Sequence, residues 1–324
     1  MRYTHIYVER SAYAYPLTKR ILSASEGSGI IDIDHYKDVF DRPRQDHEFQ
    51  RKNPALILAV RTGARVFKGA PVCQSFGQRN FYYSSSIMNC PFDCEYCYLK
   101  GMYPSSYIVV FVNMEDYIKD VEGYLTQGPM YVCASYDTDL IALNPLTGLA
   151  DSWCDLALRH EDLLVELRTK AAPPELRAIP NVIYAFTISP EEVASRYEKG
   201  APAASDRIRA AVRALDSGCR VRLCFDPMIK IPGWRDAYAG FVEEVTAKID
   251  LTRVTDVSVG TFRISGDYLS SMRKRLPANE IAWYPYIVKG GVAQYTEEDD
   301  KEMQDFMCGL LEEHIGREKI FTWN

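Results

Sequence analysis

The sequence predicts an α/β protein whose body is a partial or full (β/α)6 barrel with N-terminal and C-terminal extensions. Three observations lead there. Short β-rich runs recur along most of the chain, amphipathic segments of helical period separate most of them, and 324 residues at 47% hydrophobic suffice for one large α/β domain or two small ones. Strands that alternate with helices pair in parallel through right-handed crossovers, which builds a barrel or a doubly wound sheet.

The elements follow in order. Residues 1–79, with the apolar run 55-ALILAV, read as a separate N-terminal layer. From Asn80 the runs 80-NFYYSS, 106-SYIVVFVN, 130-MYVCAS, 163-LLVELRT, 182-VIYAFTIS, 220-RVRLCFDPMI and 254-VTDVSVGTF are short and rich in β-branched and aromatic residues, as strands are. Between them 114-MEDYIKDVEGYLTQ, 149-LADSWCDLALRH, 204-ASDRIRAAVRALDSG and 234-WRDAYAGFVEEVTAKI carry helical periodicity. Ser205 reads as an N-cap with Asp206 in the first turn, and Gly218 follows the last apolar position. Six units from Asn80 to about Arg263 place the barrel in 80–276. Residues 277–324 are expected to form a cap, with one helix from Glu297 to about His314 and a short KIFTWN tail.

Composition narrows the function. A net charge of −6 argues against a generally basic nucleic-acid coat. Charges every few residues near the N-terminus, and no apolar run of eighteen, predict neither a signal peptide nor a membrane span. Nine cysteines, an odd number scattered from Cys73 to Cys308, suit a reducing cytoplasm, and a monomer is expected.

Cys90, Cys94 and Cys97 stand apart from the other six. Their positions i, i+4 and i+7 would share one helix face, but Asn89, Pro91, Asp93 and Glu95 make the segment a poor helix. A structural zinc wants four ligands, usually in two close pairs, and no second pair exists; the five histidines are far apart. What remains is a three-thiolate site with an open fourth position, as when three cysteines hold a four-iron cluster. The remaining cysteines, including Cys73, Cys154, Cys219, Cys224 and Cys308, share no motif and read as core residues.

The spacing C-PFD-C-EY-C, with an aromatic before the last cysteine, resembles the radical S-adenosylmethionine (SAM) enzymes. That resemblance implies a radical SAM type of barrel, a [4Fe-4S] cluster, SAM bound on the unligated iron, and a 5′-deoxyadenosyl radical that takes hydrogen from a substrate. A closer resemblance, to the spore photoproduct lyase family, rests on YVERSAYAYPLTKRIL, CPFDCEYCYL, YIVVFVNMEDY, DTDLIALNPLTG, ELRTK, FTISPEEVASRYEKGAPAASDRIRAAVRAL, DPMIKIPGW and KIFTW, in that order across nearly the whole length. It implies direct reversal of a thymine–thymine photolesion in DNA. By position it makes Tyr96 and Tyr98 neighbours of SAM that relay a hydrogen atom, although either ring could simply pack in the core. It gives Lys170 the SAM carboxylate and Thr187 and Ser189 its methionyl and ribose groups, and it adds Ser135 to the SAM residues; helix capping is the rival role for Ser189. Asp226 falls where backbone atoms receive the adenine.

Two positions depart from the family pattern. Tyr136 stands where Bacillus-type members have a cysteine that donates hydrogen to the product radical, and Cys133, three residues earlier on the same strand, is expected on the opposite face. Tyr136 is therefore the candidate quencher, together with Tyr96 or Tyr98. Pro285 replaces the arginine of an Arg-Tyr pair that touches the lesion, while Tyr286 remains.

The expected partners are UV-damaged DNA and an electron donor such as a flavodoxin or ferredoxin. Residues 51–80 hold Arg51, Lys52, Arg61, Arg65, Lys68 and Arg79 and no acidic residue, a basic window that would grip phosphates, and 263-RISGDYLSSMRKR-275 is a second cluster. The stretch 281-IAWYPYIV-288 is the candidate wedge for flipping the lesion out of the stack. Two other functions stay open: a same-family enzyme with another substrate, favoured by Tyr136 and Pro285, and a non-catalytic iron–sulfur protein.

Overall fold

The computed structural model describes residues 2–69 and 73–323. Six parallel strands follow one another in sequence and in space: Phe81–Ser84, Met130–Cys133, Leu163–Thr169, Val182–Thr187, Arg220–Met228 and Asp256–Thr261. The pairing is in register, with Tyr83 beside Cys133, Glu166 beside Cys133, Thr187 beside Cys224 and Cys224 beside Ser258. Helices return the chain between strands, among them Met114–Leu125, Leu149–Arg159, Ala204–Asp216 and Trp234–Thr246, so the six-unit expectation describes the body of the molecule.

Both ends of this sheet are extended. The KIFTWN segment is more than a tail: Ile320–Thr322 pairs in parallel with Asp256–Thr261 as an edge strand. At the other edge Val66–Lys68 pairs antiparallel with Phe81–Ser84. A second sheet has the order Gly29–Ile33, His5–Glu9, Ala55–Ala59, Ile108–Phe111, Ile87–Met88. The expected division at residue 79 is thus crossed in both directions. Ile108–Phe111, placed in the barrel from its apolar run, joins the N-terminal sheet; Val66–Lys68 joins the barrel. Ala55–Ala59 is buried at every position, as a central strand covered on both faces must be, and its parallel partner Ile108–Phe111 is equally apolar. Hydrophobic pattern reports burial and not sheet membership, which explains the misplacement.

Local signals held in part. Gly218, at φ 81°, follows the helix Ala204–Asp216, with Gly218 N–H donating to Leu215 O and Cys219 N–H to Ala214 O, a left-handed helix end. Ser205 is not the cap of that helix. Its N-cap is Ala203, which offers no side chain, and the free Ala204 N–H donates instead to Glu191 Oε2 at 3.0 Å. The C-terminal helix runs Glu297–Glu312, with Thr296 capping it by accepting from Asp299 N–H. Among the described residues no helix is long and apolar enough to cross a membrane.

The barrel interior is charged at its centre. Arg222 is buried between Glu166 and Asp256, donating to both and, at 2.9 Å, to the Tyr131 hydroxyl. Arg168 bridges Glu166 at 3.2 Å and Asp226 at 2.9 Å. Burial would raise the Glu166 carboxyl, but Arg168 and Arg222 with the Tyr131 hydroxyl more than reverse that and hold it at about 2.

Candidate active site at the barrel mouth

Every residue assigned to SAM or the cluster, on resemblance or spacing, comes from the C-terminal ends of the parallel strands. The cysteine segment follows Phe81–Ser84, Ser135 and Tyr136 follow Met130–Cys133, Lys170 follows Leu163–Thr169, Thr187 closes Val182–Thr187 with Ser189 just beyond, and Asp226 lies near the end of Arg220–Met228. This is the end where barrel folds build their sites.

The cysteine loop is non-helical, as Pro91 and Asn89 require; Asn89 has φ 67°, and its side-chain amide donates to Ser105 O at 2.7 Å and Tyr107 O at 2.8 Å. The two-residue strand Asp93–Cys94 pairs antiparallel with Glu198–Lys199, and Glu95 N–H donates to Tyr197 O at 2.7 Å. Arg51 adds bonds to Phe92 O and an ion pair to Asp93. The loop is therefore anchored on both sides. Burial pushes all three thiols up, Cys94 to about 12 with Lys170 pulling it back, so the loop binds a metal only by releasing protons. Among the described residues no group of three His, Cys, Asp or Glu side chains is drawn together enough to hold one metal ion.

The donor set fits a cluster with SAM beside it. Three thiols share one loop, and among the described residues no fourth ligand stands with them. The Ser135 hydroxyl is buried with no hydrogen-bond partner among the described residues, an orphan that a bound ligand would satisfy. Lys170 has no carboxylate ion pair among the described residues; its ammonium lies 5.3 Å from the centre of the Tyr96 ring. Burial pulls its pKa down, yet Cys94 and Glu198 together raise it above that of a free lysine.

Ser189 does not cap the helix Glu191–Tyr197, whose N-cap is Pro190; its hydroxyl donates to Glu198 Oε1 at 3.2 Å. The Asp226 side chain is fully engaged, accepting from Arg168, from Trp323 Nε1 at 2.8 Å and from Ser258.

The two tyrosines around Cys97 face different ways. Tyr96 donates to Glu198. Tyr98 donates to Tyr136 O at 2.6 Å and to Asp137 Oδ1 at 3.3 Å. Tyr136 lies past the end of its strand, where Ser135 bridges antiparallel to Ser85, so strand alternation does not govern it. Its ring stacks on Tyr83, 4.2 Å between centres, and Tyr83 is the register partner of Cys133. The expected separation of Cys133 and Tyr136 on opposite faces therefore does not hold. Cys133 instead points at Glu166 within the barrel, Sγ to Oε1 at 3.7 Å.

The thiol that meets Tyr136 is Cys73, expected to be core: its Sγ lies 3.5 Å from the Tyr136 hydroxyl, and it is half-buried. No local motif announced it. Cys154, Cys219, Cys224 and Cys308 are buried as expected.

The basic window is largely used inside the molecule. Arg51 pairs with Asp93, Lys52 with Glu48 and Arg65 with Asp120, while the Arg61 guanidinium sits over Phe67 and Phe111. In the second cluster Arg273 and Arg275 donate to the carbonyls of Ala282 and Tyr103, and Arg263 lies over Trp323. Near them the hairpin Ile287–Lys289 and Val292–Gln294 turns at Gly290 and Gly291, and Trp283 and Val288 are more than half exposed. Tyr286 packs on Phe262 at 5.1 Å and on Tyr284 at 4.9 Å.

A family model described as spore photoproduct lyase matches residues 2–265. A Bacillus subtilis (strain 168) protein of that name is 23% identical over 265 residues, 75% of this chain and 73% of its own. A Clostridium acetobutylicum protein of the same name is 22% identical over 261 residues, 76% and 75% of the two chains. A solved spore photoproduct lyase complexed with dinucleoside spore photoproduct superposes with TM-score 0.83 at 19% identity, covering 99% of this chain and 98% of that one. A double mutant with bound AdoMet and dinucleoside spore photoproduct gives 0.83, also at 19%. The architecture is that of these structures, the radical SAM type of partial barrel, and the chain belongs to the spore photoproduct lyase family.

Proposed function

We propose that the protein is a DNA-repair lyase that reverses the thymine–thymine spore photoproduct, using SAM and a [4Fe-4S] cluster held by Cys90, Cys94 and Cys97. The observation that carries this is the convergence of the three thiols, Lys170, Ser135, Thr187 and Ser189 on one barrel mouth, with Tyr98, Tyr136 and Cys73 beside them. When bound, the cluster and SAM supply an electron and a 5′-deoxyadenosyl radical that abstracts hydrogen from the substrate.

The chain's own groups do the rest. Lys170 meets the SAM carboxylate, for which an ammonium without another ion pair is the natural partner. The charged, fully bonded interior around Arg222 closes the barrel beneath the site against water. Tyr136 and Cys73 return a hydrogen atom to the product, and the radical left on that pair is reset by one electron from the donor and one proton: a thiol 3.5 Å from a phenol hydroxyl replaces the single cysteine of Bacillus-type members. Tyr98 is close enough to Tyr136, 6.1 Å between ring centres, to extend that path. The exposed Trp283 and Val288 are the wedge at the DNA face, and Lys68, Arg79 and Lys274 supply phosphate contacts. An electron donor of the flavodoxin or ferredoxin class reduces the cluster.

The test is anaerobic reconstitution followed by incubation with SAM, a reductant and synthetic dinucleoside spore photoproduct. Thymidine dinucleoside and 5′-deoxyadenosine are the expected products. Pro285, in place of the family's arginine, favours a second reading with a different substrate; 5′-deoxyadenosine formed without repair would support it.

A further inference from the structure

We infer that Glu198 is a positioning residue of the SAM side, which fixes Tyr96 and the cysteine loop in place. The inference rests on the proposal that SAM occupies this mouth.

Glu198 belongs to the stretch FTISPEEVASRYEKG, but nothing in the sequence separates it from the surface acids around it. In the fold its side chain is fully buried, and so is that of Arg207, which pairs with it at 2.5 Å. One carboxylate oxygen, Oε1, accepts from the Tyr96 hydroxyl and from Ser189 Oγ at 3.2 Å; the other faces Arg207. Arg207 in turn donates to Pro202 O at 2.9 Å and to Thr187 O at 3.3 Å. The backbone of Glu198 pairs with Cys94. One residue therefore touches a cluster ligand's strand, Tyr96 and Ser189 directly, and Thr187 through its arginine.

Taking an ion pair wholly out of water is costly, and a hydrophobic pair of similar volume would commonly be as stable. Geometry is what this pair supplies. Arg207 is the ion-pair partner of Glu198, and Lys170 makes no carboxylate ion pair among the described residues, so its ammonium stays available to an anionic ligand. The hydroxyl of Tyr96, anchored to Glu198, fixes the plane of the ring that lies against the Lys170 ammonium.

The experiment is a double-mutant cycle in SAM affinity, read from the SAM-induced change in the visible spectrum of the reconstituted holoenzyme, with iron content and Tm measured alongside. Tyr96→Phe leaves the ion pair intact and is expected to weaken SAM about tenfold at unchanged iron content and Tm. Glu198→Ala is expected to lower Tm and to weaken SAM at least as much. The double variant should be no weaker than Glu198→Ala, because both remove one interaction, whereas Tyr98→Phe should add independently to Glu198→Ala. If Tyr96→Phe binds SAM like wild type, or if its effect adds fully to that of Glu198→Ala, Glu198 is only a core ion pair and the inference is overturned. Where Glu198→Ala fails to fold, Tyr96→Phe alone decides. Failure of the lyase assignment looks different: wild type would bind SAM and form 5′-deoxyadenosine yet leave the photoproduct intact.

Discussion

Tyr136 stands where the resemblance leads one to expect a cysteine, and the Cys73 thiol lies 3.5 Å from its hydroxyl. Tyr136→Phe and Cys73→Ala are each expected to cut repair product about tenfold or more while 5′-deoxyadenosine continues to form, since hydrogen return fails after the first abstraction. Cys133→Ala should retain most activity, because its thiol is turned to Glu166. Repair lost only in Cys133→Ala would reverse that assignment. Elsewhere, His47 is buried beside Ser106, and burial, then Arg275, lower it from 6.5 to about 4. A depressed histidine stays neutral when folded while the unfolded chain takes up a proton. The stability is therefore complete above about pH 6.5 and is lost as pH falls toward about 4. Denaturant titrations of His47→Asn should lack that slope.

At the scale of elements, the short helix Leu99–Met102 carries Gly101, where a Cβ would come within 2.2 Å of the Tyr268 carbonyl in the helix Gly266–Arg275. That neighbour is backbone and cannot step aside. Gly101→Ala should cost about 2 kcal/mol, seen as a lower Tm, and should loosen the cysteine segment that precedes it. Most elements were legible because period and length reveal them: 182-VIYAFTIS could only be a buried strand, and 204-ASDRIRAAVRALDSG a helix with one apolar face. The cysteine segment was equally legible as a non-helical loop, since Asn89 and Pro91 announce it without tertiary context. Sheet membership was not, because Ile108–Phe111 and the barrel strands are apolar in the same way. Cys73, Glu198 and Arg207 escaped for the same kind of reason. Their roles arise from contacts across 63, 102 and 9 residues, which no local pattern encodes.

For the whole molecule, the exchange of strands between the two sheets predicts one cooperative unfolding transition, since neither sheet closes without segments from the other's stretch of chain. Coincident loss of near- and far-ultraviolet circular dichroism checks this; two separated transitions would contradict it. Acid should act through the barrel centre. Glu166 is depressed from 4.5 to about 2, so its stabilisation is present above about pH 4.5 and disappears as pH falls through about 2. Glu166→Gln, which strands Arg222 with a single carboxylate, should cost about 3–5 kcal/mol.

The thiol segment runs between Ile87–Met88 and Ile108–Phe111, both of which lie in the N-terminal sheet rather than among the barrel strands. Iron held by the three thiols, as proposed, would stiffen the span joining that pair, and amide deuteration there would gauge metallation. Ile108 to Phe111 should exchange faster in iron-stripped protein than in replete protein, and this could be followed by mass spectrometry without any assay of turnover.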